Sequence, residues 1–163
     1  MDAELFAAVK EYAARFPVPA LIAMIMQDSK GEPNFTRPVT TLADMWNSSL
    51  QVPFRTLSEH ERNSVTAPAD FPGSDIEWSG QRTAWGPLPI VGAVAREQGY
   101  VGTFPALCGP SGIRWACLRL NKLRDEYRLS VRETMSAWYS HDPALAEKVF
   151  LDLEKSGNRM FID

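Results

Sequence analysis

Residues 18–33 read VPALIAMIMQDSKGEP, and this stretch decides the fold. Over residues 20–27 the side chains are apolar almost all the way around a helix, a pattern typical of a buried central helix. Gly31 and Pro33 predict the end of that helix. The polar ending QDS (27–29) of so apolar a segment is the first sign of a functional site.

Helical patterns flank this stretch on both sides. Upstream, apolar residues recur at helical spacing. Downstream, Ser130 with Glu133 matches a capping box, and Asp142 before a proline matches an N-cap. We predict helices over 3–16, 20–27, about 89–98 with its end at Gly99, from Pro110 to about Tyr127, from Ser130 to about Tyr139, and from Asp142 to a stop at Gly157.

The segment from 33 to 89 looks different because it holds seven of the twelve prolines. Such a proline content predicts a loop-rich lobe, about residues 33–83, with two short helices. One helix is predicted near residues 42–48, and the other begins at Thr56, where TLSE matches a capping box. No run with strand periodicity is long enough to predict a sheet. The fold class is therefore predicted to be all-α or nearly so (mainly α), with one domain over 1–163.

The overall balance of residues is that of an ordinary globular domain. The 163 residues are 45% apolar and 23% charged, with a net charge of −3. This charge gives no reason to expect nucleic acid as a partner. Residues 111–132 carry six basic and two acidic side chains, so a basic helical face could touch nucleic acid. A solvated face is more common, and we predict no nucleic-acid partner.

The cysteines and histidines are too few to suggest a metal centre. Cys108 and Cys117 lie nine residues apart, and the chain has only two histidines, His60 and His141. Their number and spacing do not match a structural zinc site, so we predict no metal and no cofactor. The two cysteines form either a disulfide that ties a loop to the next helix or two free, partly buried thiols.

Four segments, taken in order, resemble one known family. They are the stretch 18–33, AWGPLPIVGAVARE at 84–97, LCGP at 107–110 with the helix behind it, and SAWYS at 136–140 followed by DPALA. Together they resemble the lytic transglycosylase domain of the lysozyme-like superfamily, especially its compact phage-type versions. The resemblance spans about residues 18–155, which is nearly the whole chain.

The resemblance implies an enzyme that cleaves peptidoglycan with one carboxylate. In that family an acid at the end of the first motif helix protonates the glycosidic oxygen between MurNAc and GlcNAc. It then acts as a base while the sugar's own 6-hydroxyl closes an anhydro ring, unlike the two-carboxylate glycosidases. By position Asp28 is that catalytic acid and Tyr139 orients it, while Glu32 in the next turn is an alternative acid. The implied substrate-binding residues are Ser29, Gly86, Leu88 and Ser140.

Three positions depart from the family pattern. Asp28 is one methylene shorter than the usual glutamate, Pro89 replaces a substrate-binding glutamine, and Ser140 replaces an asparagine. A displacement of about 1 Å can cost roughly a hundredfold in rate, so we expect weak or undetectable cleavage. The alternative function is a catalytically degenerate glycan-binding or structural component of a phage tail or similar particle.

The resemblance also gives expectations for geometry and delivery. We expect Asp28 and Tyr139 to face one groove with 86–89 in its wall, although the short aspartate could leave the two side chains too far apart to bond. The opening MDAE lacks the basic region of a secretory signal, and the run 20–26 is too short to span a bilayer. We therefore expect synthesis in the cytoplasm, no membrane insertion, and delivery to the cell wall by lysis or in a phage-like particle. The expected partners are peptidoglycan glycan strands and other particle proteins.

Overall fold

A computed structural model describes residues 1–39, 45–64 and 74–161 of the chain. Of these residues 60% are helical and 8% lie in strands, so the prediction of a mainly α protein is confirmed. The α-helices of the described part are α1 (Ala3–Tyr12), α2 (Val18–Asp28), α3 (Glu59–Ser64), α4 (Ser74–Gln81), α5 (Gly92–Glu97), α6 (Pro110–Tyr127), α7 (Val131–Trp138) and α8 (Pro143–Lys155).

Helix α2 lies in the core, as its apolar sequence predicts. Ala20, Leu21, Met24 and Ile25 are buried, and α2 packs against α8 while α1 packs against α6. Pro19 lies in the first turn of α2, where its missing N–H removes no helical hydrogen bond. The burial is not complete around the helix, because Ile22 and Ala23 are half-buried and Met26 is exposed. A polar group that is partly buried at its end still needs a partner or a cavity.

Capping residues define the ends of the surrounding helices. Ser130 forms the predicted capping box at the start of α7, and the side chain of Asp142 caps α8. Gly157 follows α8 with a φ of 74°, a conformation that favours glycine. The predicted positions of α6, α7 and α8 are therefore confirmed. Helix α1 is shorter than the predicted 3–16, because Ala14 turns the chain with a φ of 51°.

The lobe contains five short strands in its described part, and the sequence did not predict them. They are β1 (Thr36–Pro38), β2 (Trp46–Asn47), β3 (Val52–Pro53), β4 (Thr83–Trp85) and β5 (Ile90–Val91). Strands β1, β4 and β5 form an antiparallel sheet in the order β1-β4-β5, and β2 pairs with β3 in a separate hairpin. These strands left no signal in the sequence, because strands of two or three residues carry no readable alternation, and a sheet this small agrees with a fold that is nearly all-α.

The helix predicted near 42–48 is wrong where the structure describes it. Residues 42–44 lie outside the described part of the chain, and strand β2 follows directly after Met45. The Asn47 side chain accepts hydrogen bonds from the backbone N–H groups of Ser49 and Leu50, both at 3.0 Å. Such local side-chain bonds favour a turn over a helix.

Two other predicted helix starts are displaced. Helix α3 begins later than predicted, because Ser58 and not Thr56 forms the capping box with Glu61. Helix α5 begins at Gly92 rather than at 89, because the residues just before it pair in β5.

A fully buried ion pair joins α4 to α5. Arg96 donates from Nε and Nη2 to the two carboxylate oxygens of Glu77, at 2.8 and 2.9 Å. Its Nη1 donates to the carbonyl oxygens of Tyr100 and Gly102. The guanidinium and the carboxylate therefore have hydrogen-bond partners that offset part of the cost of burying two charges.

Gln81 at the end of α4 continues this polar cluster. Its Oε1 accepts from the backbone N–H of Trp46 at 2.8 Å, and its Nε2 donates to the Trp46 carbonyl at 2.9 Å. Nε2 also donates to Glu77 at 2.9 Å. The Gln81 amide thus forms the two hydrogen bonds to the backbone of β2 that a neighbouring strand would form. It also links the β2–β3 hairpin to the Glu77–Arg96 ion pair.

Both cysteines are free thiols, which decides between the two alternatives that the sequence left open. Cys117 is buried in α6, and desolvation raises its pKa to about 12. Cys108 is half-buried, and burial raises the pKa of its thiol as well. Both groups therefore stay protonated near neutral pH and are weak nucleophiles.

Candidate active site

A cavity of about 430 Å³ lies where the lobe meets the long helices. The end of α2, one face of α6 and the end of α7 line one side of it, and the sheet with the start of α5 lines the other. This volume lies in the usual range for small-molecule sites. Most of the wall is apolar, and the residues with polar side chains are Asp28, Arg37, Arg119, Tyr139, Ser140 and His141.

Asp28 and Tyr139 meet in this cavity although they are 111 positions apart in the sequence. Asp28 is the last residue of α2, and Tyr139 directly follows α7. The Tyr139 hydroxyl donates a hydrogen bond to Oδ2 of Asp28 at 3.0 Å. The expectation that both face one groove is confirmed, and the expected gap between them is wrong, because the aspartate is long enough to reach the phenol.

Burial changes the acidity of both groups. Desolvation raises the pKa of Asp28 from 3.8 to about 6, against the opposing effects of the Tyr139 hydrogen bond and the Arg37 charge. Burial and the adjacent carboxylate also raise the pKa of Tyr139, so the phenol keeps its proton and remains a donor. Near neutral pH the Asp28 carboxyl therefore exchanges readily between its protonated and ionised forms.

Ser29, predicted as a substrate contact, is a buried helix-ending residue that does not line the cavity. Its hydroxyl donates to the Ile25 carbonyl at 3.0 Å and accepts from the Gly31 N–H at 3.2 Å. Both hydrogen bonds stabilise the C-terminal end of α2 and so help to fix the position of the neighbouring Asp28.

The turn at 86–89 reaches the cavity only through Pro89. Gly86 has a φ of 87°, and a Cβ on it would lie 2.4 Å from the carbonyl oxygen of Leu107. This position therefore requires glycine for close backbone packing. Leu88 is fully buried. The structure places Gly86 and Leu88 beneath the wall of the cavity and not on its surface.

Four further polar or charged groups stand around Asp28 and Tyr139. Ser140, predicted from the resemblance, lines the cavity, and so do Arg37 in β1, Arg119 in α6 and His141 after α7. The last three were missed as site residues. The charge of Arg119 was visible in the basic segment, but the direction of a side chain on α6 depends on the packing of the whole domain.

Glu32, which the sequence offered as an alternative acid, and the aromatic residues Trp78 and Trp85 lie outside the cavity. Trp85 stacks on Phe104 with ring centroids 5.9 Å apart, and Trp78 meets Phe54 edge-on at 5.1 Å. These rings serve as packing surfaces within the lobe. Glu32 is exposed and does not line the cavity, so Asp28 is the acid that the geometry favours.

The fold and the cavity define a mainly helical protein that holds one partly buried acid against a tyrosine. Comparison with the profiles of known protein families, with curated proteins and with solved structures finds no match to this chain. Within residues 1–39, 45–64 and 74–161, no three His, Cys, Asp or Glu side chains are grouped so that they could hold a metal ion. In the same residues no helix has both the length and the apolar character that crossing a bilayer needs.

Proposed function

We propose that this protein is a lytic transglycosylase-like domain that binds peptidoglycan glycan strands and cleaves them slowly through Asp28. The observation that supports this most directly is the Asp28–Tyr139 pair in the cavity. General acid catalysis is most effective when the pKa of the acid lies near the working pH, and burial gives Asp28 a pKa of about 6.

Asp28 can carry both proton transfers of the proposed reaction. Among the described residues only Tyr139 hydrogen-bonds to the carboxyl, and it occupies Oδ2, so Oδ1 is left to hold the proton. The protonated carboxyl donates to the glycosidic oxygen as the C–O bond breaks. The resulting carboxylate accepts the proton of the sugar's 6-hydroxyl as that oxygen attacks the anomeric carbon, which restores the starting state.

The lining residues include no second carboxylate. Within residues 1–39, 45–64 and 74–161, Asp28 is the one acidic side chain that lines the cavity, so these residues do not supply the pair of acids that most glycosidases use. A nucleophile from the substrate itself is therefore the reaction type that fits this site, and it accords with the anhydro product of the proposed function.

The composition of the wall supports slow turnover. Pro89 carries neither an N–H nor a polar side chain, and most other wall residues are apolar, so few groups can hold sugar hydroxyls in one geometry. The same observation favours a second candidate function: a glycan-binding or structural component of a phage tail or similar particle that has lost turnover. Peptidoglycan is the proposed partner of the enzyme and of the glycan-binding component, and other particle proteins are the proposed partners of a structural component, with delivery by lysis or by a particle.

The test is digestion of purified sacculi with wild type, Asp28→Asn and Asp28→Ala, with anhydro-muropeptides scored by mass spectrometry. We expect a low yield from wild type and none from either variant. Asp152→Asn is the matched control, because Asp152 is exposed on α8 and does not line the cavity. Equal yields from wild type and Asp28→Asn would contradict the proposed acid. Co-sedimentation with sacculi without product would favour the binding role. The absence of both would overturn the enzymatic and glycan-binding functions and would favour the structural component.

A further inference from the structure

The cavity that holds Asp28 has an excess of positive charge. Arg37 and Arg119 both line it, and His141 stands beside them. Among the described residues that line the cavity, Asp28 is the only one with an acidic side chain, and burial keeps a fraction of its carboxyl groups protonated near pH 6. Outside the lining, Glu97 forms a loose ion pair with Arg119. The described lining residues therefore carry a net positive charge.

Among the described residues, Arg119 has one loose ion pair and no hydrogen-bonded acidic partner, and no ion pair joins Arg37 to an acidic side chain. Nη1 of Arg119 lies 3.9 Å from Oε1 of Glu97, beyond hydrogen-bond distance, and both side chains are partly exposed. Arg37 is exposed, and its charge is felt inside the cavity, where it lowers the pKa of both Asp28 and Tyr139. Both guanidinium groups thus keep donors that a ligand can use.

The remaining wall limits the kind of ligand that fits. Pro89, Val91, Val94 and Trp138 present apolar surface beside the two arginines. A ligand with an apolar ring face and one anionic group matches this arrangement. A neutral, hydroxyl-rich ligand would offer neither guanidinium group an anionic partner.

We propose that the cavity recognises a saccharide through a carboxylate held by Arg37 and Arg119. This inference rests on the proposed function and names its substrate class: muramic acid units with a free carboxylate, and not neutral N-acetylglucosamine polymers. An arginine binds a carboxylate through two parallel N–H···O bonds, which gives both strength and orientation. In peptidoglycan such a carboxylate belongs either to the lactyl group of MurNAc after removal of the stem peptide or to the stem peptide itself.

The experiment measures binding of defined saccharides to the full chain by calorimetry. The disaccharide GlcNAc–MurNAc contains no MurNAc–GlcNAc bond, so wild type can bind it without cleaving it. The probes are this disaccharide with a free lactyl carboxylate, its methyl ester, the same disaccharide carrying a stem dipeptide, and neutral chitobiose. We expect at least about a tenfold preference for the free acid or the dipeptide over the ester and chitobiose. If the free acid binds more tightly than the dipeptide derivative, the recognised carboxylate is that of the lactyl group; if the dipeptide derivative binds more tightly, it is that of the stem peptide.

Arginine variants test whether the cavity causes the preference. Arg37→Gln and Arg119→Gln should each reduce the preference for the carboxylate about tenfold, while Arg119→Lys should retain part of it. Arg82→Gln is the control, because Arg82 is an exposed arginine of the same lobe that does not line the cavity. Equal binding of acid and ester would overturn this inference and leave the proposed function standing. If none of the saccharides binds, both fail.

Discussion

The helical body and the lobe of this protein are held together by different kinds of contact. In the body, which comprises α1, α2 and α6–α8, buried apolar faces pack along whole helices and caps end them. In the lobe, which comprises the described residues of 33–91, strands of two or three residues are joined by specific polar groups. The Glu77–Arg96 pair joins the lobe to α5, and Gln81 joins α4 to β2 within the lobe.

This difference determines where each region is vulnerable. Apolar burial is spread over many side chains, so no one of them holds the body together alone. At a buried polar contact a single substitution can cause a large loss of stability, because removal of one partner leaves the other without its hydrogen bonds. The cavity lies between the two regions, so its shape depends on both.

The largest effect is expected from Glu77→Gln, which removes the negative charge of the ion pair and leaves the size of the side chain almost unchanged. Arg96 cannot give up its proton, so its full charge stays buried with a neutral partner. We expect a loss of about 3–5 kcal/mol in the free energy of unfolding, measured by urea denaturation.

The matched control for this variant is Glu97→Gln. Glu97 lies 3.9 Å from Arg119 in a loose, partly exposed contact, so its loss should change stability by less than about 1 kcal/mol. A Glu77→Gln protein as stable as this control would mean that the lobe does not depend on its polar cluster.

The next effect is expected from Gln81→Ala, which removes both hydrogen bonds to the backbone of Trp46. We expect a cost of about 2–3 kcal/mol, confined to the lobe. Hydrogen exchange should quicken at Trp46 and Asn47 while the amides of α2 keep their protection.

Gln98→Ala is the control for that loss. The Nε2 of Gln98 makes only one long contact, 3.4 Å to the Val94 carbonyl, and its Oε1 is buried without a partner in the described structure. Removing it should leave the exchange pattern unchanged. Equal acceleration across the whole chain in Gln81→Ala would show that the lobe and the body unfold as one unit.

The same contrast explains what the sequence could predict about the fold. Helix α2 and the start of α7 were predictable because their signals are local: an apolar run in the first and a Ser130–Glu133 box in the second. The pairing of Arg37 with Ala84, or of Gln81 with Trp46, joins residues far apart in the chain. Nothing within either short segment indicates its partner.

The residues of the candidate site also differ in how far the sequence could predict them. Asp28 and Tyr139 were predicted from a resemblance, and each ends a helix of the body. Arg37 lies in strand β1 of the lobe. Its place in the lining of the cavity could not be predicted, because the sheet that positions it was not predicted. The expected gap between acid and tyrosine was wrong because it considered side-chain length alone, whereas the packing of α2 and α7 sets how far the aspartate must reach.

At the boundary between the regions, Asp28→Asn should stabilise the protein in a pH-dependent way. Burial raises the folded-state pKa from 3.8 to about 6, so the folded state binds more protons than the unfolded state between these values. Stability of wild type should therefore fall as the pH rises through this window. We expect the variant to be more stable than wild type by about 3 kcal/mol at about pH 8, with little difference at about pH 4.

Thermal unfolding of both proteins across this pH range measures the effect. Asp152→Asn, on the exposed side of α8, is the control and should follow wild type at each pH. A difference between Asp28→Asn and wild type that stays constant with pH would contradict the raised pKa of Asp28 and the desolvation that causes it.

The smallest effect compares two capping boxes with nearly the same geometry. In α7 the backbone N–H of Ser130 donates to Glu133 at 2.8 Å, and the Ser130 hydroxyl accepts from the Glu133 N–H at 3.2 Å. In α3 the corresponding distances between Ser58 and Glu61 are 2.8 and 3.3 Å. The local hydrogen bonds are thus alike, and only the setting differs.

Ser130→Ala and Ser58→Ala should nevertheless have different effects on global stability. Helix α7 buries Thr134 and Met135 in the body, so weakening its first turn should cost about 1 kcal/mol of global stability. Helix α3 has six residues and begins with exposed side chains, so it can fray while the body stays folded. We expect Ser58→Ala to change the urea midpoint by less than half as much as Ser130→Ala, with faster exchange confined to α3. Equal losses from the two variants would mean that α3 folds cooperatively with the body, and the lobe would then be stabilised by more than its polar cluster.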